Sequence, residues 1–453
     1  MAKKGKKILR PVEEQVIKKT GYLLRGCPVS TVISPGCFCR GFMHNYNNYK
    51  KPGTSGPAGR EEAGPDGEGF NYLVNNTKLQ SGFVLQRYLL SEIAGEILPG
   101  SRCAQCRKAL IPGKGGVAVI YSKAHQRASY GNLMTCGSIW LCAVCAAKIS
   151  ELRRVELVQA TSNHTGGLAL VTFTVRHKKT DKLSDTLKLL DFSFEKSFEG
   201  RWWQEFKARW GYIGKVTGLE ITYGLHGWHP HKHCLFFFES QVSKETAVKI
   251  QKELTDRYLY LVEKAGGSAL RGLGVDVRRA EKNIDIVSEY IAKFDRMPES
   301  PYWGVESELT KGYVKKTKAG GMTFWELLKC AAMGEKEAIS LVREYATALR
   351  GKSSLRYSRG LKERLKVAPA TDKELSDQPE KDGVQIAILV KDIWRQVCAK
   401  RLRGQLLEAA GTGLIGDILK FLVENGILPW VIKSGYYSGY VVSYRQHLTH
   451  DST

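Results

Sequence analysis

The sequence predicts an α+β fold in which helices flank a mostly antiparallel central sheet. Residues 168–175 form a short run of apolar and β-branched residues, which is typical of a buried strand. Two further runs, at about 212–223 and 229–239, are joined by a glycine-bounded turn and predict an antiparallel hairpin. Helical periodicity precedes and follows this hairpin, so the order of elements is strand, helix, hairpin, helix, strand and helix.

The flanking helices are predicted from apolar residues that recur on one side of each segment. Between residues 183 and 209 these positions fall on a single stripe, as in one helix packed on a sheet. Further helices are expected at 150–160, 243–265 and 283–294, and a further strand at 275–279. Thr323 and Glu326 match a capping box that opens another helix, whereas the polar residues 371–382 predict a linker.

The length of the chain suits several domains rather than one core. With 453 residues, of which 43% are apolar, it can bury two or three cores. The predicted divisions are an N-terminal region of unknown role with a Pro/Gly-rich loop near 50–70, a cysteine-rich module, the central-sheet domain, a basic helical extension and a helical C-terminal tail. Their bounds are 1–100, 101–150, 151–300, 301–370 and 385–453.

A strong positive charge predicts a polyanionic partner. The chain has 69 Lys and Arg against 45 Asp and Glu, a formal net charge of +24. Cations spread over this length favour nucleic acid through counterion release, with acidic lipid as the alternative. The lysine-rich start is not followed by an apolar segment, and a run of about 18 apolar residues is absent from the sequence. We therefore expect a cytoplasmic protein with no membrane partner.

Three histidines lie at alternate positions of the second hairpin strand. Because side chains alternate along a strand, His229, His231 and His233 project to one face, while Pro230 and Lys232 project to the other. Neutral imidazole is a common metal ligand. The alternative is a polar surface strand, but the apolar residues after His233 indicate a strand that runs into a core. The spacing therefore predicts a metal site.

The third ligand of this site has two candidates. If the hairpin turn is centred near residues 226 and 227, Glu220 lies roughly opposite His233, about 5 Å away. Glu220 and His229 then compete for the place beside His231 and His233. A mixed set of imidazole and carboxylate ligands suits Mn²⁺ or Mg²⁺ in an enzyme that cleaves phosphodiesters.

A cysteine-rich segment precedes the sheet and has the spacing of a structural zinc site. Its two CxxC pairs are Cys103 with Cys106 and Cys142 with Cys145. Cys136 and His125 lie between the pairs and are substitute ligands. The odd total of 11 cysteines, without a secretion signal, also favours metal ligation over a complete set of disulfides. We therefore expect bound Zn²⁺ in this module.

Tyr290 and Lys293 share one face of the helix predicted at 283–294, because they are three residues apart. A phenol beside an ammonium group ionises more readily, and the cation can also hold a phosphate. Such pairs are common on helices that have only a packing role. Beside a metal site in a basic protein, however, Tyr290 is a candidate nucleophile.

Residues 352–366 carry a run of cations with one carboxylate. Such a run is often only a solvated face, but in a basic protein it is also a candidate for phosphate contact. The candidate DNA-binding residues are Arg356, Arg359, Lys362 and Arg364.

Three motifs follow one another along the chain, at residues 170–177, at 218–223 with 227–233, and at 290–293. Together they resemble the motifs of the HUH endonuclease superfamily and, within it, of the Rep proteins that initiate rolling-circle plasmid replication. The segment 136–149 is also similar to the cysteine-rich segment that precedes the first motif in many such proteins. The resemblance covers about residues 100–365 and implies an HUH-type antiparallel sheet.

The resemblance implies a function for each motif. His231 and His233 would hold a divalent metal, and Tyr290 would attack the scissile phosphate as the single tyrosine of the site. The products would be a 5′-phosphotyrosine link and a 3′-hydroxyl for a host polymerase. The implied partners are single-stranded or supercoiled plasmid origin DNA, together with a host helicase and polymerase.

Two positions depart from the family pattern. Lys232 stands where relatives carry a bulky apolar residue, which suggests that this side of the strand is solvated. Ile286 stands where some relatives carry a Glu that activates water at termination, and Glu289, Asp285 or Glu281 would have to replace it. The alternatives are an HUH transposase or relaxase, or a non-catalytic zinc-containing DNA-binding protein.

Overall fold

The computed structural model describes residues 81–280, 321–379, 382–433 and 440–444. Its strands, in chain order, are β1 (Val117–Ser122), β2 (Arg127–Gly131), β3 (Gly167–Thr174), β4 (Tyr212–Gly224), β5 (Gly227–Phe238), β6 (Val275–Ala280), β7 (Leu355–Tyr357), β8 (Gly383–Leu389), β9 (Pro429–Lys433) and β10 (Tyr440–Tyr444).

The helices of the described residues surround two sheets. In chain order they are α1 (Ser81–Ile97), α2 (Ala143–Ser162), α3 (Leu183–Ser197), α4 (Gly200–Trp210), α5 (Lys244–Lys264), α6 (Phe324–Ala332), α7 (Lys336–Ala348), α8 (Leu361–Arg364), α9 (Asp372–Asp377), α10 (Lys391–Ala399), α11 (Arg403–Ala409) and α12 (Ile415–Glu424). In this part of the chain, every helix is too short or too polar to cross a membrane.

The large sheet has the strand order β6-β3-β5-β4-β7, and all its neighbouring strands are antiparallel. This confirms the predicted antiparallel central sheet and three of its predicted elements, the strand at 168–175, the hairpin and the strand at 275–279. The predicted helix at 283–294 lies outside the described residues.

The two faces of the large sheet differ in what covers them. One face carries Phe173 and Phe236, which pack with apolar residues of α3, α4 and α5. On the opposite face, Leu235 and Phe237 pack against Leu157 of α2. Along β3 the same face continues from Leu170 to threonines, because the apolar alternation gives way to a polar one. The polar half of this face bears the histidine site.

The small sheet combines strands from distant parts of the chain, in the order β2-β1-β8-β10-β9. β1 pairs antiparallel with β8, and β8 pairs parallel with β10. The prediction of a mainly helical C-terminal region was therefore incomplete, since residues 383–444 contribute three strands as well as helices. The reason is that β8 becomes a strand by pairing with β1, which lies far from it in the sequence.

Two local predictions also differ from the structure. The helix expected at 183–209 is divided into α3 and α4, because the chain turns at Phe198 and Glu199 and Gly200 has a positive φ of 78°. The segment 371–382, predicted as a linker, contains α9, which opens with a capping box formed by Thr371 and Glu374. The capping box predicted at Thr323 is confirmed.

A buried ion pair joins α1 to α11 beneath the small sheet. Arg403 is 1% exposed and donates to Glu92 Oε1 from Nη2 at 3.0 Å and from Nε at 3.2 Å. Its Nη1 donates to the carbonyl oxygens of Cys106 and Arg107. A buried guanidinium is tolerated only when its donors are satisfied, and here they hold three segments together.

We predict that Arg403→Met destabilises the protein by about 3–5 kcal/mol, because it leaves the Glu92 carboxylate buried without its partner. The double variant Arg403→Met/Glu92→Leu should recover part of this loss. The measurement is chemical denaturation of the full chain. Arg395→Ala is the matched control, since its pair with Asp392 is about two-thirds exposed and its removal should change stability by no more than about 0.5 kcal/mol. Equal losses in the single and double variants would contradict the ion-pair explanation.

Candidate metal centre

The hairpin of β4 and β5 presents the three histidines on one face, as predicted. Neighbouring rings lie close together, with centroids 4.6 Å apart for His229 and His231 and 5.1 Å apart for His231 and His233. The turn consists of Leu225 and His226 between the paired residues Gly224 and Gly227. Gly227 has a φ of 86°, and a Cβ atom there would lie 2.9 Å from the Cα of Lys179.

The register of this hairpin places Glu220 directly opposite His231, two residues from the predicted alignment with His233. The predicted alignment was wrong because the turn is centred on residues 225 and 226. Glu220 nevertheless reaches both rings, with its Oε2 at 2.9 Å from Nε2 of His233 and 3.4 Å from Nε2 of His231. One carboxylate oxygen therefore faces two imidazole nitrogens.

Glu220, His231 and His233 form a compact group of potential metal ligands. One ligand atom from each lies within 4.8 Å of the others, and Glu220 and His233 are each 6% exposed. A buried carboxylate needs a compensating charge or strong hydrogen bonds. Two imidazole nitrogens and a carboxylate oxygen around one point fit a divalent cation that accepts both nitrogen and oxygen ligands.

His229, the other candidate for the third position, lies outside this group. Its Nε2 is 3.3 Å from Oγ1 of Thr174, and its ring centroid is 4.8 Å from that of His177. Burial lowers the pKa of His229 to about 4, and the neighbouring rings of His231 and His177 add to this effect. His229 is therefore neutral near pH 7 and is oriented by a hydroxyl group.

Thr172 of β3 contacts the other side of His233. The two residues are directly paired across the sheet, and Oγ1 of Thr172 lies 3.0 Å from Nδ1 of His233. In the sequence, Thr172 is only one residue of the motif at 170–177. Its contact with His233 depends on the pairing register of β3 and β5, which the local pattern does not contain.

The reverse side of the histidine strand is buried rather than solvated, so the expectation from Lys232 was wrong. Lys232 is 7% exposed, and its Nζ lies 2.8 Å from Asp191 Oδ1 of α3 and 4.1 Å from the ring centroid of Phe194. Lys352 binds the other oxygen of Asp191 at 2.7 Å. α3 thus covers the side chain of Lys232, which lies between His231 and His233 in the sequence, and Asp191 neutralises its charge. Asp191, an acidic residue beside the apolar stripe of α3, was the feature of the sequence that could have indicated this burial.

The cysteine module brings four thiols together, although not the four of the two CxxC pairs. The group consists of Cys106, Cys136, Cys142 and Cys145, all buried and with sulfur atoms within 4.8 Å of one another. Cys103 lies outside this group, with its Sγ 3.8 Å from that of Cys136. His125, the other substitute considered, lies in the turn between β1 and β2 and is not part of the group.

Hydrogen bonds among the four thiols lower the pKa of one of them and raise the pKa of the other three. Hydrogen bonds from the thiols of Cys106, Cys136 and Cys145 hold the pKa of Cys142 well below its usual range. Burial alone would lower the pKa of the Arg107 guanidinium. The nearby Tyr88 and three of the cysteines have a larger effect in the opposite direction, so this pKa is raised. A buried cation therefore stands beside a cluster that carries negative charge when it ligates a metal.

The four candidate DNA-binding residues lie on and after β7, and three of them contact carboxylates of the same chain. Arg356 pairs across the sheet with Thr217, which places it on the face opposite Glu220. The ion pairs are Arg356 with Glu195 at 3.4 Å, Lys362 with Glu156 at 2.5 Å and Arg364 with Glu239 at 3.8 Å. Arg359 is exposed. The pairs of Arg356 and Arg364 are exposed and therefore weak.

Tyr290 and Lys293 lie outside the described residues. The preceding described strand, β6, pairs with β3 and ends at Ala280, opposite Leu168. The structure therefore brings together Glu220, His231 and His233 and leaves the position of the candidate nucleophile as a prediction.

We predict that Asp191→Asn lowers stability at pH 7 by about 1–3 kcal/mol, since it removes the nearer of the two carboxylates that pair with Lys232, the other being Glu195 at 3.9 Å. Burial alone would raise the pKa of Asp191, but Lys232 and Lys352 lower it below its ordinary value. This contribution is complete above the ordinary pKa of an aspartate, about 3.9, and is lost as the pH falls through the lower folded-state pKa.

The measurement is denaturation of both proteins between pH 7 and pH 3, where the difference between them should shrink below about pH 4. Asp185→Asn is the matched control, because its pair with Lys188 lies on the same helix and is exposed. A difference that stays constant down to pH 3 would show that Asp191 acts through packing rather than charge.

The chain is similar to two curated proteins of Streptomyces. It is 28% identical to "Protein rep" of Streptomyces lividans over 65% of this chain and 79% of that protein. It is 31% identical to "Neomycin resistance protein" of Streptomyces cyanogenus over 26% of this chain, and the match spans 33% of that protein. No family model and no solved structure matches the chain. The similarity to a Rep protein over most of both chains confirms the resemblance to plasmid replication initiators that the three sequence motifs indicated.

Proposed function

We propose that this protein initiates plasmid replication by nicking one strand of origin DNA with Tyr290 as the nucleophile. The observation that carries the proposal is the convergence of Glu220, His231 and His233 on paired strands of an antiparallel sheet, with Glu220 and His233 buried. The similarity to a protein named Rep supports the same conclusion. A plasmid origin, single-stranded or in supercoiled form, is then the substrate.

In the proposed reaction the phenolic oxygen of Tyr290 attacks the scissile phosphorus in line. A new bond forms between this oxygen and phosphorus, and the bond from phosphorus to the 3′-oxygen of the preceding nucleotide breaks. The 3′-oxygen takes a proton and becomes a 3′-hydroxyl that a host polymerase extends, while a host helicase unwinds the duplex. Lys293, which shares a face with Tyr290 in the helix predicted from the sequence, would hold a phosphate oxygen and favour the ionised phenol.

Glu220, His231 and His233 would hold the metal ion of this site. The fit rests on their convergence and on their mixture of nitrogen and oxygen donors. A bound Mn²⁺ or Mg²⁺ supplies positive charge that polarises the scissile phosphate and stabilises the charge of the transition state. The protein contributes a rigid strand pair that fixes the directions of the three side chains before DNA binds.

The distance from β6 to the site is compatible with this assignment of the nucleophile. Ala280 is level with Leu168, and the site is level with Thr172, about 13 Å further along β3. Tyr290 follows Ala280 by ten residues, which span about 33 Å when extended and about 15 Å as a helix. Because the extended length exceeds about 13 Å, ten residues are enough for the proposed nucleophile to reach the site.

We predict that Tyr290→Phe abolishes covalent attachment to DNA while leaving DNA binding nearly unchanged, because only the nucleophilic oxygen is removed. The assay incubates the protein with Mn²⁺ and supercoiled plasmid that carries the cognate origin. The expected product of the wild-type protein is a nicked circle with protein attached to the 5′ end. The same reaction without a divalent cation should give no product.

Tyr302→Phe is the matched control, since it removes a phenol from the same part of the chain. If Tyr290→Phe nicks DNA as efficiently as the wild-type protein, Tyr290 is not the nucleophile. Origin binding without nicking by the wild-type protein would favour the non-catalytic zinc-containing DNA-binding protein. Rejoining of the cut ends to a second DNA molecule, without initiation of replication, would favour a transposase or relaxase.

We also propose that Cys106, Cys136, Cys142 and Cys145 bind a structural Zn²⁺. Four buried sulfur donors at mutual contact distance fit the tetrahedral thiolate sites that zinc occupies in structural modules. The side chain of Leu375 on α9 packs against this cluster, so the metal would also fix the polar segment that follows the large sheet.

We predict that the purified protein contains roughly one zinc ion per chain and that Cys136→Ser loses it, because the variant removes one of four ligands. Cys103→Ser should keep its zinc and is the matched control. Elemental analysis of the dialysed proteins gives the metal content. Zinc retained by Cys136→Ser and lost by Cys103→Ser would instead identify the two CxxC pairs as the ligand set.

A further inference from the structure

We propose that Thr172 is a positioning residue for the metal site, because its hydroxyl group selects the tautomer of His233 that can ligate the metal through Nε2. The inference rests on the proposed metal site of Glu220, His231 and His233. It assigns a role to a residue of β3, a strand that contributes no ligand to this group.

The argument begins with the two nitrogens of the His233 ring. Nε2 faces Oε2 of Glu220 at 2.9 Å, so it lies on the side where the ligand atoms converge. Nδ1 faces Oγ1 of Thr172 at 3.0 Å. A nitrogen that ligates a metal must present its lone pair, and in the neutral ring the single proton then resides on Nδ1.

The Thr172 hydroxyl oxygen is placed to accept that proton. In the metal-ligating tautomer, the Nδ1–H group of His233 would donate to Oγ1 at the observed distance, which would stabilise this tautomer and fix the rotation of the ring. Without this acceptor the ring can carry its proton on Nε2 and donate it to Glu220, which blocks both ligands at once. Thr172 therefore competes with Glu220 for the proton of His233.

The sheet makes this contact specific to Thr172. Thr172 is directly paired with His233, and its β-branched side chain has few rotamers on a strand. Thr174, two residues along the same face, is paired with His231, but its hydroxyl lies 3.3 Å from Nε2 of His229. The two threonines thus orient two different histidines, of which only one belongs to the metal-ligand group.

The test is the affinity for Mn²⁺, measured by electron paramagnetic resonance of the free ion during titration of the full chain without DNA. Thr172→Val keeps the shape and the strand preference of threonine but removes the acceptor, and it should weaken Mn²⁺ binding about 10–100-fold. Thr172→Ser restores a hydroxyl group and should bind Mn²⁺ nearly as the wild-type protein does. Thr174→Val is the matched control and should also retain the wild-type affinity.

A second readout follows the proton itself. Nitrogen-15 NMR of histidine-labelled protein should show His233 protonated on Nδ1 in the wild-type chain loaded with Zn²⁺ as a diamagnetic probe, and the same spectrum identifies unfolded variants.

Wild-type affinity in Thr172→Val, or an equal loss in Thr174→Val, would overturn the role of Thr172. Failure of the wild-type chain to bind Mn²⁺ would overturn the metal site and this inference together. Mn²⁺ binding without DNA nicking would overturn only the proposed reaction.

Discussion

The pairing register of the β4–β5 hairpin is the constraint on which the candidate metal centre depends. The two-residue turn closed by Gly224 and Gly227 sets that register, and Glu220 faces two histidines only in this alignment. A slip by one residue would move the carboxylate to the opposite face of the sheet, against α3. Lys232 opposes such a slip, because its buried ammonium group is paired with Asp191 on that face.

Features that depend on one strand could be predicted from the sequence, and features that depend on two strands could not. The common face of His229, His231 and His233 follows from the period of a strand alone. The choice of Glu220 over His229 as the third member of the group required the hairpin register to within one residue. The burial of Lys232 could be predicted only by knowing that α3 packs across β5. A sequence pattern indicates that a helix forms but not where that helix lies on the sheet.

The cysteine module illustrates the same limit at longer range. The paired spacing of Cys142 and Cys145 correctly predicted that these two thiols belong to one cluster, because both lie at the start of α2 and approach each other locally. The choice between Cys103 and Cys136 depends on how a loop of about 30 residues closes, which no short motif encodes.

The pairing of β1 with β8 has a consequence for how the chain folds during its synthesis. Val117 and Leu389 are partners although most of the chain separates them. While the ribosome has not yet produced β8, the central position in the small sheet is empty and β1 has one open edge, which is able to pair with other chains. Closure of such a long loop is slow, so this half of the protein completes its core last. The large sheet, whose strands β3 to β6 are nearly consecutive, is free to form first.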